Sequence, residues 1–310
     1  MRAVLVTPDC PARLALGEVA EPDPRRDEAV VAVRAISLNR GEVRFAQTKE
    51  PGARTGWDIA GVVERAAADG RGPAVGERVV AFLPNADGWA ERVAVETSLL
   101  ARIPDGVSDE VAAALPVAGL TALRGLDKGV RLVGRRVAIT GATGGVGGFA
   151  VQIARAMGAE VVAQVRRASQ VDGVKALGAD HVVVGESSAC FADLAPYGLA
   201  LDGLGGEMIA GLVAMLDRHG VAVTYGGTAS FTTSFGVYSL TRTASLYGFM
   251  LHAELAEEPG GVSLGRMLNL VERGLVRVDI GRRGSWREIG EAAQALTDRA
   301  FTGKAVLSVE

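Results

Sequence analysis

Short apolar runs rich in valine and alanine, interrupted by Gly, Pro and Asp, dominate the first hundred positions of the chain. Residues 29–33, 59–63, 78–82 and 91–95 have this form and are predicted strands of an antiparallel, barrel-like unit. The opening stretch MRAVLVTPDC carries a short apolar run broken by Pro8 and Asp9, and it is expected to be a first strand rather than a signal peptide or a membrane span.

Near Pro104 the pattern changes. Six short apolar strands are predicted at 135–140, 160–165, 181–185, 198–201, 221–225 and 245–251, with helical patterns between most of them. Strands that alternate with helices need crossover connections, so they form a parallel sheet covered on both faces, and six is the strand count of a doubly wound dinucleotide fold. Helix-like patterns follow at 262–273 and 286–300, then a closing strand at 304–309. That strand has no place in a six-stranded sheet and is expected to return to the first domain. The fold class is therefore α/β: a mostly-β domain from residues 1–120 and 262–310, and a doubly wound parallel-sheet domain from 121–261.

The most informative segment is RRVAITGATGGVGGFAVQIARAMGAEVVAQVRR, residues 135–167, which reads strand, glycine turn, helix, strand in the roughly thirty residues of one βαβ unit. Ala142, Gly144 and Gly147 stand where the glycines of G-x-G-x-x-G would stand, with Ala at the tight-turn place as a departure. Val146, Phe149, Ala150, Ile153, Ala154 and Met157 follow at steps of one, three and four, a stripe that would lie on the sheet. The helix start would then aim the N–H groups of the turn, Ala142, Thr143, Gly144, Gly145, Val146 and Gly147, at a pyrophosphate.

The end of the second strand selects the cofactor. An NAD site would place a carboxylate there for the ribose 2′-hydroxyl. This chain has Arg166, Arg167 and Ser169 instead, and two guanidiniums suit a 2′-phosphate, so NADPH is expected. Ligands of this fold lie beyond the carboxyl ends of the strands, which adds Tyr225, Gly226 and Gly227 after the fifth strand and Phe249, Met250 and Leu251 at the sixth. Phe249 and Met250 also fit a role in closing the core.

Composition narrows the remaining choices. With 48% hydrophobic and 22% charged residues in 310, there is apolar material for ordinary cores and no signature of disorder. A net charge of -3 gives no broad positive field, so nucleic acid and anionic membranes are not expected partners. The two cysteines, Cys10 and Cys190, form neither a zinc knuckle nor a CxxC pair, which fits a reducing cytoplasm. No repeat of solenoid period is present. His181, His219 and His252 are scattered and carry no assigned chemistry.

Taken with these motifs, further segments resemble the medium-chain dehydrogenase/reductase superfamily over nearly the whole chain, and within it the zinc-free quinone oxidoreductases and related enoyl reductase modules. Leu38-Asn39-Arg40-Gly41-Glu42-Val43 is similar to its Asn-containing loop, and Gly56-Trp57-Asp58-Ile59-Ala60-Gly61-Val62-Val63 to its Gly-x-Glu/Asp-x-x-Gly-x-Val strand. Val75-Gly76-Glu77-Arg78-Val79 resembles its charged turn, Gly119-Leu120-Thr121-Ala122 its entry to the cofactor domain, and Gly303-Lys304-Ala305-Val306-Leu307 its closing strand. The resemblance implies a GroES-like catalytic domain joined to a Rossmann domain, and a homodimer. Zinc-dependent members hold a catalytic metal where this chain has Arg40 or its neighbours, Trp57 and Val117, none of which supplies a thiolate or imidazole, so no metal is expected.

Without a metal the accessible chemistry is conjugate reduction, in which hydride goes to a quinone or an α,β-unsaturated carbonyl and the developing oxyanion needs only hydrogen-bond donors. The resemblance implies Asn39 as a polar contact near nicotinamide or substrate and Thr121 as a residue orienting the nicotinamide or its ribose; Asn39 equally fits a loop residue capping a turn. Glu42 and Asp58 are either intradomain anchors or proton carriers. An enoyl-thioester reductase of a polyketide or fatty-acid pathway and a non-catalytic NADPH-binding sensor are the competing functions.

Overall fold

A computed structural model describes all 310 residues, Met1–Glu310. The chain opens with strands β1 (Arg2–Val6) and β2 (Leu14–Glu18), paired antiparallel. It continues through β3 (Glu28–Leu38), helix α1 (Arg40–Ala46), β4 (Asp58–Arg65), β5 (Arg78–Phe82), β6 (Arg92–Glu96), β7 (Leu100–Arg102) and α2 (Asp109–Ala113). Helix α3 (Pro116–Asp127) carries the chain into a second compact unit. There follow β8 (Arg136–Ile139), α4 (Gly145–Ala156), β9 (Glu160–Val165), α5 (Val171–Lys175), β10 (His181–Val184), β11 (Tyr197–Asp202), α6 (Gly206–Ala214), β12 (Leu216–Thr224), β13 (Ser245–Gly248) and α7 (Leu251–Glu254). The return adds α8 (Gly260–Glu272), β14 (Ile280–Ser285), α9 (Ile289–Thr297) and β15 (Lys304–Ser308) to the first unit.

The first unit, Met1–Leu120 with Leu255–Glu310, is built on β3. This strand pairs antiparallel with β4 along one edge, and on the other with β6 over its first half and β15 over its second. The closing strand does return to the first unit, as the pattern implied. Its core joins Val31, Ile36, Ile59, Val79, Trp89 and Trp286. The glycines of the motif at 56–63 have separate reasons. Gly56 is left-handed (φ 110°), and a Cβ on Gly61 would lie 2.1 Å from the Ala32 carbonyl oxygen, beside the irregularity in the pairing of β3 with β4 at Val33–Ala35.

The second unit, Thr121–Glu254, holds six strands in the order β10-β9-β8-β11-β12-β13, every pair parallel. This is the doubly wound order with the switch point between β8 and β11. Gly198, after the aromatic of β11, has a steric reason: a Cβ there would lie 2.7 Å from Nε of Arg135, whose guanidinium meets Asp217 at 3.1 Å.

Three expectations are corrected. The second boundary falls after Glu254 rather than after residue 261, because Lys128 (2.8 Å) and Arg124 (3.3 Å) hold the Glu254 carboxylate within the second unit, whereas Gly261 already lies against Leu100 of the first. The last strand of the parallel sheet stops at Gly248, and Leu251 opens α7. The segment after Asn39 is a helix, α1, and not a loop. No helix is long and apolar enough to cross a membrane.

Candidate functional site

The glycine turn follows β8, and its conformation explains its sequence. Gly141 is the left-handed residue (φ 59°), so the tight-turn role falls on Gly141 and not on Ala142, which is fully buried beside it. Gly144 takes the extended N-cap conformation and its N–H donates to the Gly141 carbonyl at 2.9 Å. A Cβ on Gly147 would lie 2.3 Å from that same carbonyl oxygen, so only glycine lets α4 start this close to the strand end. The first N–H groups of α4 have no intrahelical partner and, with the helix dipole, form a cradle suited to a pyrophosphate.

Arg166, Arg167 and Ser169, directly after β9, are all exposed, leaving the guanidiniums accessible to an anion. After β12, Tyr225 packs its ring on Gly203, where a Cβ would meet ring atoms at 2.6 Å, while Gly226 and Gly227 continue the strand end. Phe249 is buried but Met250 is 62% exposed, so of this pair only Phe249 helps to close the core. Thr121 is buried on α3. Asp202, at the end of β11, accepts from Thr140 Oγ1 (2.7 Å) and the Gly205 N–H (2.7 Å), and burial raises its carboxyl.

In the first unit Asn39 is the centre of a buried polar network. Its Nδ2 donates to Asp58 Oδ2 (2.7 Å) and Glu42 Oε1 (3.1 Å), and its Oδ1 accepts from Lys304 Nζ (2.5 Å). Lys304 Nζ also reaches the Leu38 carbonyl (3.2 Å) and Asp58 Oδ2 (3.3 Å). Glu42 turns back to accept the Asn39 N–H (2.6 Å) and takes the Trp57 N–H at 2.8 Å, and Asp58 Oδ1 takes the Val117 N–H at 3.0 Å. Both carboxylates therefore anchor backbone of their own unit. Asn39 is held in one orientation, which suits fixed hydrogen bonding rather than proton transfer.

Two carboxyls share this pocket with one ammonium. Burial, and then the charge of Asp58, push Glu42 well above the usual carboxylate range against the pull of Lys304; burial likewise raises Asp58. An acid whose folded pKa is raised keeps a proton where the unfolded chain has lost it, so its contribution to stability falls as pH rises from the ordinary carboxylate range through the raised value. Urea unfolding from about pH 5 to pH 8 should show the stability gap between wild type and Glu42→Met narrowing as pH rises. A gap that widened would contradict the raised carboxyl.

Trp57 stands at one of the places where the resemblance implied a zinc ligand in metal-dependent members. The Trp57 ring packs edge-on against Phe45 at 5.8 Å and near Phe82 at 6.3 Å, and no cluster of three or more His, Cys, Asp or Glu could take an ion. The sequence reading missed three residues that shape the sites: Gly141, Lys304 and Gln164, the last of which receives the Gly141 N–H. Each carried a signal, namely a glycine directly after a strand, a lone charge opening an apolar strand, and a lone amide inside the apolar run VVAQV.

Residues 25–105 match the alcohol dehydrogenase GroES-like domain, and residues 145–263 match the zinc-binding dehydrogenase domain. The chain is 30% identical to the chloroplast envelope quinone oxidoreductase homolog of Arabidopsis thaliana, covering 94% of this chain and 92% of that protein. It is also 30% identical to a mycocerosic acid synthase-like polyketide synthase of Mycobacterium tuberculosis; there the match takes in 100% of this chain but only 15% of the synthase. Among solved structures, mycobacterial Rv1454c complexed with NADPH superposes with a TM-score of 0.84 at 25% identity, covering 99% of this chain and 100% of that one.

Proposed function

The chain belongs to the medium-chain dehydrogenase/reductase superfamily, in its quinone oxidoreductase-like branch, and from that premise we propose that it is an NADPH-dependent, zinc-independent reductase of quinones or α,β-unsaturated carbonyls. The observation that carries the cofactor reading is the pair of exposed arginines, Arg166 and Arg167, at the end of β9, with no carboxylate in the place that would take a ribose 2′-hydroxyl.

NADPH, when bound, supplies the hydride. The turn from Gly141 to Gly147 and the start of α4 would hold the pyrophosphate, and Arg166, Arg167 and Ser169 the 2′-phosphate. Tyr225, Gly226 and Gly227 follow β12, and Phe249, Met250 and Leu251 follow β13; the nicotinamide half would lie beyond these strand ends, with Thr121 orienting it. Asn39, whose two amide hydrogens go to Asp58 and Glu42, would serve as the fixed centre of the polar network in the first unit rather than as a free donor. Trp57 and Val117, which are not metal ligands, stand at two of the three zinc places, with Arg40 or its neighbours at the third, so polarisation of the acceptor is left to hydrogen bonds and a conjugated acceptor is favoured. The same reading includes a cytoplasmic homodimer, which the resemblance implies.

Coverage of the whole chain by the polyketide synthase match supports a second reading, an enoyl-thioester reductase. Steady-state assays with quinones, enones and enoyl thioesters separate the two, and binding without turnover of any of them would indicate an NADPH sensor.

Nicotinamide fluorescence titrations test the cofactor. Wild type should bind NADPH more tightly than NADH, and Arg166→Ala/Arg167→Ala should weaken NADPH by about tenfold with little effect on NADH, since exposed charge-assisted pairs contribute about 1–2 kcal/mol. Binding of neither nucleotide by wild type would overturn the reading.

A further inference from the structure

Strand β9 is buried along nearly its whole length, yet its fifth residue is an amide, Gln164, with no solvent exposure. In the interior of a parallel sheet an apolar side chain is the usual occupant, and a buried amide is costly unless its donor and acceptor are both engaged. Here both are. Oε1 accepts the Gly141 N–H at 2.9 Å, and Nε2 donates to the Gly185 carbonyl at 2.5 Å. The main-chain oxygen of Gln164 takes the next N–H of the turn, from Ala142, at 3.0 Å. The following residue, Val165, accepts the Gly185 N–H at 3.0 Å.

One residue therefore stitches the carboxyl ends of three adjacent strands. The turn after β8 and the residue after β10 are both tied to β9, and the chain leaving β9 goes directly into Arg166 and Arg167. Gly141 is the left-handed residue of the turn, and a glycine is the residue freest to leave such a conformation when nothing holds it.

We propose that Gln164 is a positioning residue for the dinucleotide: its side-chain amide holds Gly141 in the left-handed conformation and so pre-forms the pyrophosphate cradle before the nucleotide arrives. This rests on the cofactor reading above. Gln164 acts through Gly141 and touches no reacting atom. Because the 2′-phosphate is recognised by the arginines and the pyrophosphate by the turn, loss of Gln164 affects NADPH and NADH alike, whereas loss of the arginines changes the ratio between them.

The test combines Gln164→Leu, which keeps the bulk and removes both hydrogen bonds, with amide hydrogen exchange of the nucleotide-free wild type. In wild type the Gly141 amide should be protected at the level of its strand neighbours. In Gln164→Leu that amide should exchange at least about tenfold faster, and both NADPH and NADH should bind about tenfold more weakly with their ratio unchanged. In steady-state assays the KM for NADPH should rise with the weakened binding, by a larger factor than any fall in turnover at saturating NADPH. Equal affinities in variant and wild type, a changed NADPH to NADH ratio, or a Gly141 amide that exchanges in wild type like an open loop would each overturn the proposal. The last measurement needs only wild type and stands even if the variant does not fold. Absence of nucleotide binding in wild type would instead overturn the cofactor reading, so the two failures are distinct.

Discussion

Lys304→Met is expected to destabilise the first unit by about 3–5 kcal/mol, the cost of breaking a buried ion pair from one side. Lys304 is 3% exposed, and its ammonium is the cation in hydrogen-bond reach of Asn39 Oδ1, the Leu38 carbonyl and Asp58 Oδ2. Methionine matches its reach but leaves the Asp58 carboxylate buried beside Glu42 without a counter-charge, and it leaves the Asn39 carbonyl oxygen without a donor. Urea unfolding at neutral pH measures the loss. Adding Asp58→Asn to the Lys304→Met chain should recover part of it, because the uncompensated charge is then removed, although the Val117 N–H still needs the acceptor at position 58. A Lys304→Met chain within about 0.5 kcal/mol of wild type would mean that the network is not what holds β15 against β3.

Gly147→Ala is the second large effect, and it acts on binding. The new Cβ would lie 2.3 Å from the Gly141 carbonyl oxygen and 2.8 Å from Cα of Ala142. Both are backbone atoms, so α4 must move away from the end of β8. Alanine gains about 1 kcal/mol of helix propensity over glycine, which does not offset a backbone clash of this depth. The displaced helix start withdraws its N–H groups from the pyrophosphate. With roughly 1.5–3 kcal/mol for each charge-assisted hydrogen bond, losing two lowers affinity for NADPH and NADH by about a hundredfold or more. Fluorescence titration reads the affinity and thermal unfolding reads the strain. Gly148→Ala, where the nearest neighbours lie at 3.7 Å or beyond, is the matched control and should bind normally.

These two variants mark different degrees of legibility in the sequence. Gly147 was readable because the constraint on it is local: a strand, a turn and a helix packed within one βαβ unit impose glycine at that spacing. Gly141 lies in the same segment but outside the spacing template, which places small residues at 142, 144 and 147 and does not show that the residue just before them turns left-handed. Lys304 could not be assigned a role from sequence, because its partners Asn39 and Asp58 lie some 265 and 246 positions away and meet it only through the pairing of β15 with β3 and β3 with β4. Gln164 was equally opaque: its partners Gly141 and Gly185 stand on either side of it only because β9 lies between β8 and β10.

The sequence by itself determined the two-unit organisation, the parallel six-stranded sheet, the glycine turn and the replacement of an acidic residue by arginines after β9. Those features follow from periodicity and near-neighbour sterics, which act over a few residues to a few tens. The tertiary structure alone decided which residue takes the left-handed turn, which carboxylates share Lys304, whether Asn39 is free or committed, and where the second unit ends. These depend on burial and on hydrogen-bond partners far apart in the chain, and an amide or ammonium acquires its role only when folding removes water from it and leaves specific partners within about 3 Å.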